Sequence, residues 1–167
     1  MNKKYVLTNE TIKINDKTLY RIKAIKDFDN VKAGDLGGFI EKEENLSGYG
    51  NAWVYDNAKV FGNAWVCGNA EVYDNAEVFG NAEVCGVAEV KKTRNTILFT
   101  KVGSRNDTLT AFKTKTGFSI KVGCFLGSLE LFLEKVQETH GDNQFAKEYR
   151  LIAEVIKARF SEGDKDE

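Results

Sequence analysis

From residue 52 to residue 90 the chain places a small and a branched apolar residue two apart, and repeats the pair every sixth position. Alanine stands at 52, 58, 64, 70, 76, 82 and 88, and valine at 54, 60, 66, 72, 78, 84 and 90. Residues two apart on an extended strand point to the same side, so each hexad turns one alanine and one valine inward. The pairs that follow, Asp56-Asn57, Gly62-Asn63 and Gly68-Asn69, suit left-handed or tight-turn backbone and predict a corner after each short strand. Three hexads make one turn of the chain: WVYDNAKVFGNAWVCGNA (53 to 70) and EVYDNAEVFGNAEVCGVA (71 to 88) agree at 14 of 18 positions. Successive turns then pair as parallel strands around a column of valines, each contributing roughly 1.5 to 3 kcal/mol on burial.

Seven uninterrupted hexads resemble the hexapeptide-repeat left-handed parallel β-helix. One departure concerns the residue after the inward valine, usually small or acidic in that family and here Tyr55, Phe61, Cys67, Tyr73, Phe79 and Cys85. An 18-residue turn stacks Tyr55 with Tyr73, Phe61 with Phe79 and Cys67 with Cys85, in ladders that project outward at or near the corners. Trp53 and Trp65 add to the same surface. Exposed aromatic columns call for cover, supplied by the flanking segments or by another chain. Trimers are common in this repeat class, which makes Trp53, Tyr55, Phe61, Trp65, Tyr73 and Phe79 the candidate interface.

The flanks lack the hexad. Tyr5-Val6-Leu7, Thr11 to Ile14 and Thr18 to Ile22 alternate as strands about a turn at Asn15-Asp16-Lys17 and predict a hairpin. The Gly-rich stretch 31 to 50 reads as a degenerate first coil, with Ile40 and Leu46 on the six-residue column of Ala52. The hairpin would cap the open edge of the coils. Beyond Val90, strands are expected at Thr96 to Phe99, Thr110 to Phe112 and Phe118 to Val122. A helix follows from an N-cap at Ser128, buries Leu129, Phe132, Leu133 and Val136, and stops at Gly141. A second helix, capped by Asp142 or Asn143, carries Phe145, Tyr149, Ile152, Ile156 and Phe160 on one stripe. The chain is thus mainly β: a hairpin and degenerate coil over 1–45, a β-helix over 46–90, a βββαα module of α+β type over 91–160, and a disordered tail over 161–167.

The turn Gly103-Ser104-Arg105-Asn106-Asp107, the run Gly123-Cys124-Phe125, the segment Glu138-Thr139-His140-Gly141-Asp142-Asn143, and the GDLGGFI and ENLSG stretches before the repeat are similar to a phage- and prophage-encoded protein family. The resemblance implies a phage context and a cytoplasmic setting in the host cell, with no established activity.

Charge alters the picture of what such a scaffold would bind. Residues 46 to 90 hold Lys59 against six acids, whereas residues 91 to 121 hold eight bases against Asp107. Positive charge after the coils favours an anion, and the acidic coils would repel a long polyanion, which disfavours nucleic acid. Ser104, Arg105 and Asn106 in a Gly-flanked turn, with Lys113, Lys115 and His140, form the candidate ligand set, since turn amides and a guanidinium suit phosphate or carboxylate. Three cysteines without paired spacing read as free cytosolic thiols, with Cys124 buried, and give no zinc site. No apolar run of membrane-spanning length and no signal-peptide core occur in the sequence. His140, the single histidine, lies outside the hexads and suits a helix-end cap better than acyl transfer. The expectation is a non-enzymatic accessory protein without cofactor or metal. It would bind a host macromolecule or a small anionic, nucleotide-like signal and interfere with host defence. An acyltransferase-like enzyme and a structural assembly protein are the alternatives.

Overall fold

The protein is described here by a computed structural model over residues 3–161. It opens with the antiparallel strands β1 (Tyr5–Ile14) and β2 (Lys17–Ala24), turning at Asn15 with φ of 55°. Strand β2 pairs antiparallel with β3 (Leu36–Ile40), setting Tyr20 opposite Ile40. The repeat then supplies seven two-residue strands: β4 (Trp53–Val54), β5 (Lys59–Val60), β6 (Trp65–Val66), β7 (Glu71–Val72), β8 (Glu77–Val78), β9 (Glu83–Val84) and β10 (Glu89–Val90).

All ladders within the repeat are parallel. Trp53 pairs with Glu71 and Glu71 with Glu89; Lys59 pairs with Glu77, and Trp65 with Glu83. The chain therefore returns beside itself every 18 residues, as the hexads predict. Asp56, Gly62, Gly68, Asp74, Gly80 and Gly86 open the corners with φ between 51° and 69°. Glycine suits these corners twice over, because a Cβ on Gly68 would lie 2.9 Å from the Gly86 amide nitrogen of the next turn.

Inside, Val54, Val60, Val66, Val72, Val78, Val84 and Val90 are buried together with the alanines. Ile40 and Leu46 join the valine columns and not that of Ala52: Ile40 pairs with Val60 and Leu46 with Val66. That first turn is two residues longer than the others, and the excess lies in the segment 47–51. Lys4 ties this bulge down. Its Nζ, fully buried, donates to the carbonyls of Ala52 (2.6 Å), Gly50 (3.1 Å) and Tyr49 (3.4 Å), and stands 4.9 Å from the centre of the Phe28 ring.

Burial pulls the Lys4 ammonium down to a pKa of about 8 from 10.5. Between those values the unfolded chain keeps a proton that the folded chain has released, so the contribution of Lys4 to stability rises with pH across that window and is lost as pH falls through 8. Lys4→Met leaves three carbonyls without their donor. It is expected to lower stability by roughly 2 to 3 kcal/mol at neutral pH, with the deficit widening toward pH 10.5, as read by urea denaturation at several pH values.

The hairpin does more than cap. Because β3 also pairs parallel with β5, strands β1-β2-β3-β5-β8 form one five-stranded sheet that extends a single face of the coil. Other edges are closed by side chains. Asn45, buried, donates from Nδ2 to the carbonyls of Ala64 (2.8 Å) and Gly62 (3.2 Å) and accepts from the Lys42 amide. At the far end Thr93 Oγ1 accepts from Glu77 N (2.9 Å) and Thr110 Oγ1 from Glu83 N (3.1 Å). Such capping satisfies amides that would otherwise template pairing with another chain.

The C-terminal part has one strand more than the sequence predicts. An antiparallel meander runs β11 (Thr96–Val102), β12 (Asp107–Thr114), β13 (Gly117–Val122) and β14 (Phe125–Gly127), so the unit is ββββαα. The missed strand is three residues long and follows a Gly123-Cys124 turn, too short for alternation to show. Helix α1 (Leu129–His140) is capped by Ser128, whose side chain accepts from Leu131 N, and ends at Gly141 with φ of 56°. Helix α2 (Gln144–Ser161) is capped by Asn143, which accepts from Ala146 N at 3.0 Å. Its buried stripe is Ala146, Tyr149, Ile152, Ala153 and Ile156. Phe145 is exposed and Phe160 only half-buried, stacked on Phe118. The tail beyond Ser161 lies outside the described residues.

Strand β12 is the shared wall of two cores. Phe112 points to the coil core, while Leu109 and Ala111 face the helices beside Ile120, Phe132 and Ile156. Period-2 alternation accounts for this division directly.

The outer ladders stack as the 18-residue period requires. Tyr55 and Tyr73 are parallel with centroids 4.6 Å apart, and Phe61 and Phe79 lie 5.2 Å apart. Cys67 and Cys85 are joined by a disulfide, with Cα atoms 4.6 Å apart, and Cys124 is exposed. The expectation of three free thiols with a buried Cys124 is therefore wrong on both counts, and the argument for a reducing cytosol that rested on it falls. Stacked cysteines in adjacent turns are brought within bonding distance by the repeat itself, a consequence the period already contained.

Candidate ligand clefts beside the 114–117 hairpin

The tip joining β12 to β13, Thr114 to Gly117, leans over the last coil, where Ala88 and Thr114 form an antiparallel bridge. An open cleft lies to either side of this tip, each of about 460 Å³. The first is basic. Lys91, Lys92, Lys113 and Lys115 line it with Asn95, and Glu89 is the acid in its wall.

Two elements bring those lysines together. Lys91 and Lys92 follow the last inward residue, Val90, and their amides both donate to the buried Asn95 Oδ1, at 3.1 and 2.9 Å. That bond fixes the path by which the chain leaves the coil. Lys113 and Lys115 come from the end of β12 and from the tip. Glu89 holds the Lys91 ammonium at 2.9 Å, and Lys91 stands 6.0 Å from the centre of the Tyr73 ring. Four lysines against one carboxylate leave the lining of this concavity with an excess of positive charge, which suits an anion.

The second cleft is lined by Asp29, Asn30, Asn51, Asn69, Glu71 and the exposed Val87, and it shares Thr114 and Lys115 with the first. Asn51 and Asn69 occupy the same corner of successive turns, and Val87 stands where a further asparagine would continue the row. Tyr55 donates to Glu71 Oε1 at 3.1 Å. Burial, with the neighbouring Glu71 carboxylate, raises the pKa of both Tyr55 and Tyr73, so these hydroxyls stay protonated donors at any physiological pH.

No protein-family model matches this chain, and no curated protein matches it in sequence.

The structure divides the ligand set that the sequence proposed. Ser104, Arg105 and Asn106 lie exposed in the β11–β12 turn, where Gly103 N donates to Glu148 of α2 at 3.0 Å. His140 sits at the end of α1 with its ring 5.7 Å from Phe145 and 5.9 Å from Tyr149. Lys113 and Lys115 are at the opposite end of β12, roughly 25 Å away at about 3.4 Å per residue. They share a cleft with Lys91 and Lys92, which in the sequence are part of the general basic run over 91 to 121. Their one signal was position: two lysines immediately after the last hexad must sit at the rim of the coil.

The proposed interface is also divided. Trp53 is 1% exposed, covered by the rings of Tyr5 and Phe28 at 6.2 and 5.3 Å, so the hairpin removes it from any intermolecular surface. Tyr55, Phe61 and Tyr73 are half-buried in their stacks. Trp65 and Phe79 are exposed at 41% and 45%. Among the described residues no group of three or more His, Cys, Asp or Glu is placed to hold a metal, and no helix is long and apolar enough to cross a membrane.

Proposed function

We propose that the chain is a non-enzymatic binding protein whose repeat winds as a left-handed β-helix and presents a basic cleft to an anionic ligand. The observation that carries this reading is the convergence of Lys91, Lys92, Lys113 and Lys115 on one concavity at the end of the coil. Two sequence-distant pairs meet there, and the buried Asn95 holds one of them in place. A small phosphate-bearing signal suits a cleft of this size, and its capture is the means by which a phage-encoded accessory protein would counter host defence. An acidic patch on a host protein offers the same chemistry and is the partner to seek if small anions fail.

The acyltransferase reading finds no support in the placement of His140, which packs against Tyr149 in the C-terminal unit and not beside the coils. Self-association, as a trimer, keeps a narrower basis: Trp65 and Phe79 remain on the outer surface.

Inorganic pyrophosphate titrated into the full chain by calorimetry at low salt tests the cleft. Binding should weaken as salt rises. The Lys113→Ala/Lys115→Ala double variant should lose at least about tenfold in affinity, the scale of one charge-assisted bond. Arg105→Ala should bind as the wild type does. An equal loss in Arg105→Ala would return the site to the β11–β12 turn.

A further inference from the structure

We infer that the two clefts beside the 114–117 tip are one bipartite site for a nucleoside phosphate, the phosphates facing the lysines and the base lying against Asp29, Glu71 and Val87. The inference deepens the anion-binding reading and rests on it.

Thr114 and Lys115 line both clefts, so the two concavities meet at the hairpin tip. Their chemistry is opposite. The first sets four lysines against the single carboxylate of Glu89; the second sets the carboxylates of Asp29 and Glu71 against the shared Lys115, with the amides of Asn51 and Asn69 beside them. A ligand that is anionic throughout would use the first and be repelled from the second. One with an anionic end and an uncharged end rich in N–H donors satisfies both.

Nucleobases are such an end. A carboxylate accepts from exocyclic amines and ring imino groups, and a carboxamide both donates and accepts, which suits a base edge. Guanine, with an amine beside a ring N–H, offers paired donors to one carboxylate; uracil has a single ring N–H and no amine. Glu71 is held before any ligand arrives, since Tyr55 donates to it at 3.1 Å, and a side chain already oriented costs less entropy to engage.

Val87 is a separate observation with the same implication. The corner row Asn51, Asn69 ends in a valine that is 64% exposed and, with the buried Ala88, is the apolar part of a cleft whose other lining residues are polar. An apolar residue there gains nothing from water or from a phosphate, but it gives the flat face of a base something to pack on.

The test is calorimetry on the full chain with guanosine diphosphate, uridine diphosphate and pyrophosphate, using the wild type, Asp29→Asn and Glu71→Gln. Their melting temperatures are recorded to confirm folding. Guanosine diphosphate should bind at least about tenfold more tightly than pyrophosphate and more tightly than uridine diphosphate. Both variants should erase most of that advantage while leaving pyrophosphate affinity unchanged or slightly improved. Equal affinity of the wild type for guanosine diphosphate and pyrophosphate, or an advantage that survives both substitutions, overturns the bipartite site and leaves the lysine cleft standing. Failure of all three ligands to bind the wild type removes the lysine cleft as well.

Discussion

Val66→Asp is expected to leave no cooperative folded state. Val66 has no exposed surface; it pairs with Val84 in the turn above and with Leu46 in the turn below, inside a wholly apolar column. A carboxylate there loses its hydration, and nothing in the column can donate to it, a cost of several kcal/mol beyond the roughly 1.5 to 3 kcal/mol of valine burial forfeited. Their sum approaches the whole stability of a domain this size, about 5 to 15 kcal/mol. Relaxation is blocked on both sides because adjacent turns repeat the same packing. Far-ultraviolet circular dichroism should show a broad, featureless melt. Val87→Asp, the same change at an exposed corner, should melt close to the wild type. If Val66→Asp kept the wild-type transition, the inward column would be wrong.

Gly38→Ala is the second large effect. A Cβ at this position would lie 2.4 Å from the Ala58 carbonyl oxygen, 2.7 Å from Val54 Cγ1 and 3.1 Å from the Tyr55 carbonyl oxygen. Two of those three neighbours are backbone, fixed by the β3 to β5 pairing through the Phe39 amide and the Ala58 carbonyl at 2.9 Å. The added methyl cannot be accommodated by turning a side chain and must separate β3 from the coil, at a cost of roughly 3 kcal/mol. Gly48→Ala has the opposite expectation. Nothing lies within 4 Å of its would-be Cβ and its φ is not positive, so a methyl there restricts the unfolded chain and should stabilise by about 0.4 to 1 kcal/mol. Urea midpoints that move in the same direction for both glycines would contradict the placement of β3 against the repeat.

The repeat was legible because its signal is redundant: seven valines, seven alanines and six corners all state one period, and any two of them suffice for the register. The ladders Tyr55–Tyr73 and Phe61–Phe79 follow from that period alone. What it did not convey was how the irregular segments attach. Six-residue spacing puts Ile40 and Leu46 in the column of Ala52, but five residues between the first and second coils hold a bulge, and the pattern has no way to announce an insertion held by Lys4 from the far end of the hairpin. The position of Trp53 in the hexad points outward; its burial comes from Tyr5 and Phe28, neighbours only in space.

The same distinction explains the ligand clefts. Lys113 and Lys115 were visible as basic residues, but the sequence grouped them with Arg105, eight and ten positions away, across a strand that in fact holds the groups apart. A β-strand separates what a helix of equal length would leave much closer, at about 3.4 against 1.5 Å per residue. Lys91 and Lys92 are closer in space to Lys113 because β12 folds back over β10, a contact that only the packing of the meander on the coil provides.

Localising an anion on the folded chain tests the functional account most directly. With backbone amides assigned by nuclear magnetic resonance, pyrophosphate should shift Lys91, Lys92, Asn95 and the segment 113–117 in a saturable, salt-sensitive way, leaving Gly103 to Asn106 unmoved. Saturable shifts confined to Gly103 to Asn106 and the end of α1, or no shifts at any concentration at low salt, would contradict it.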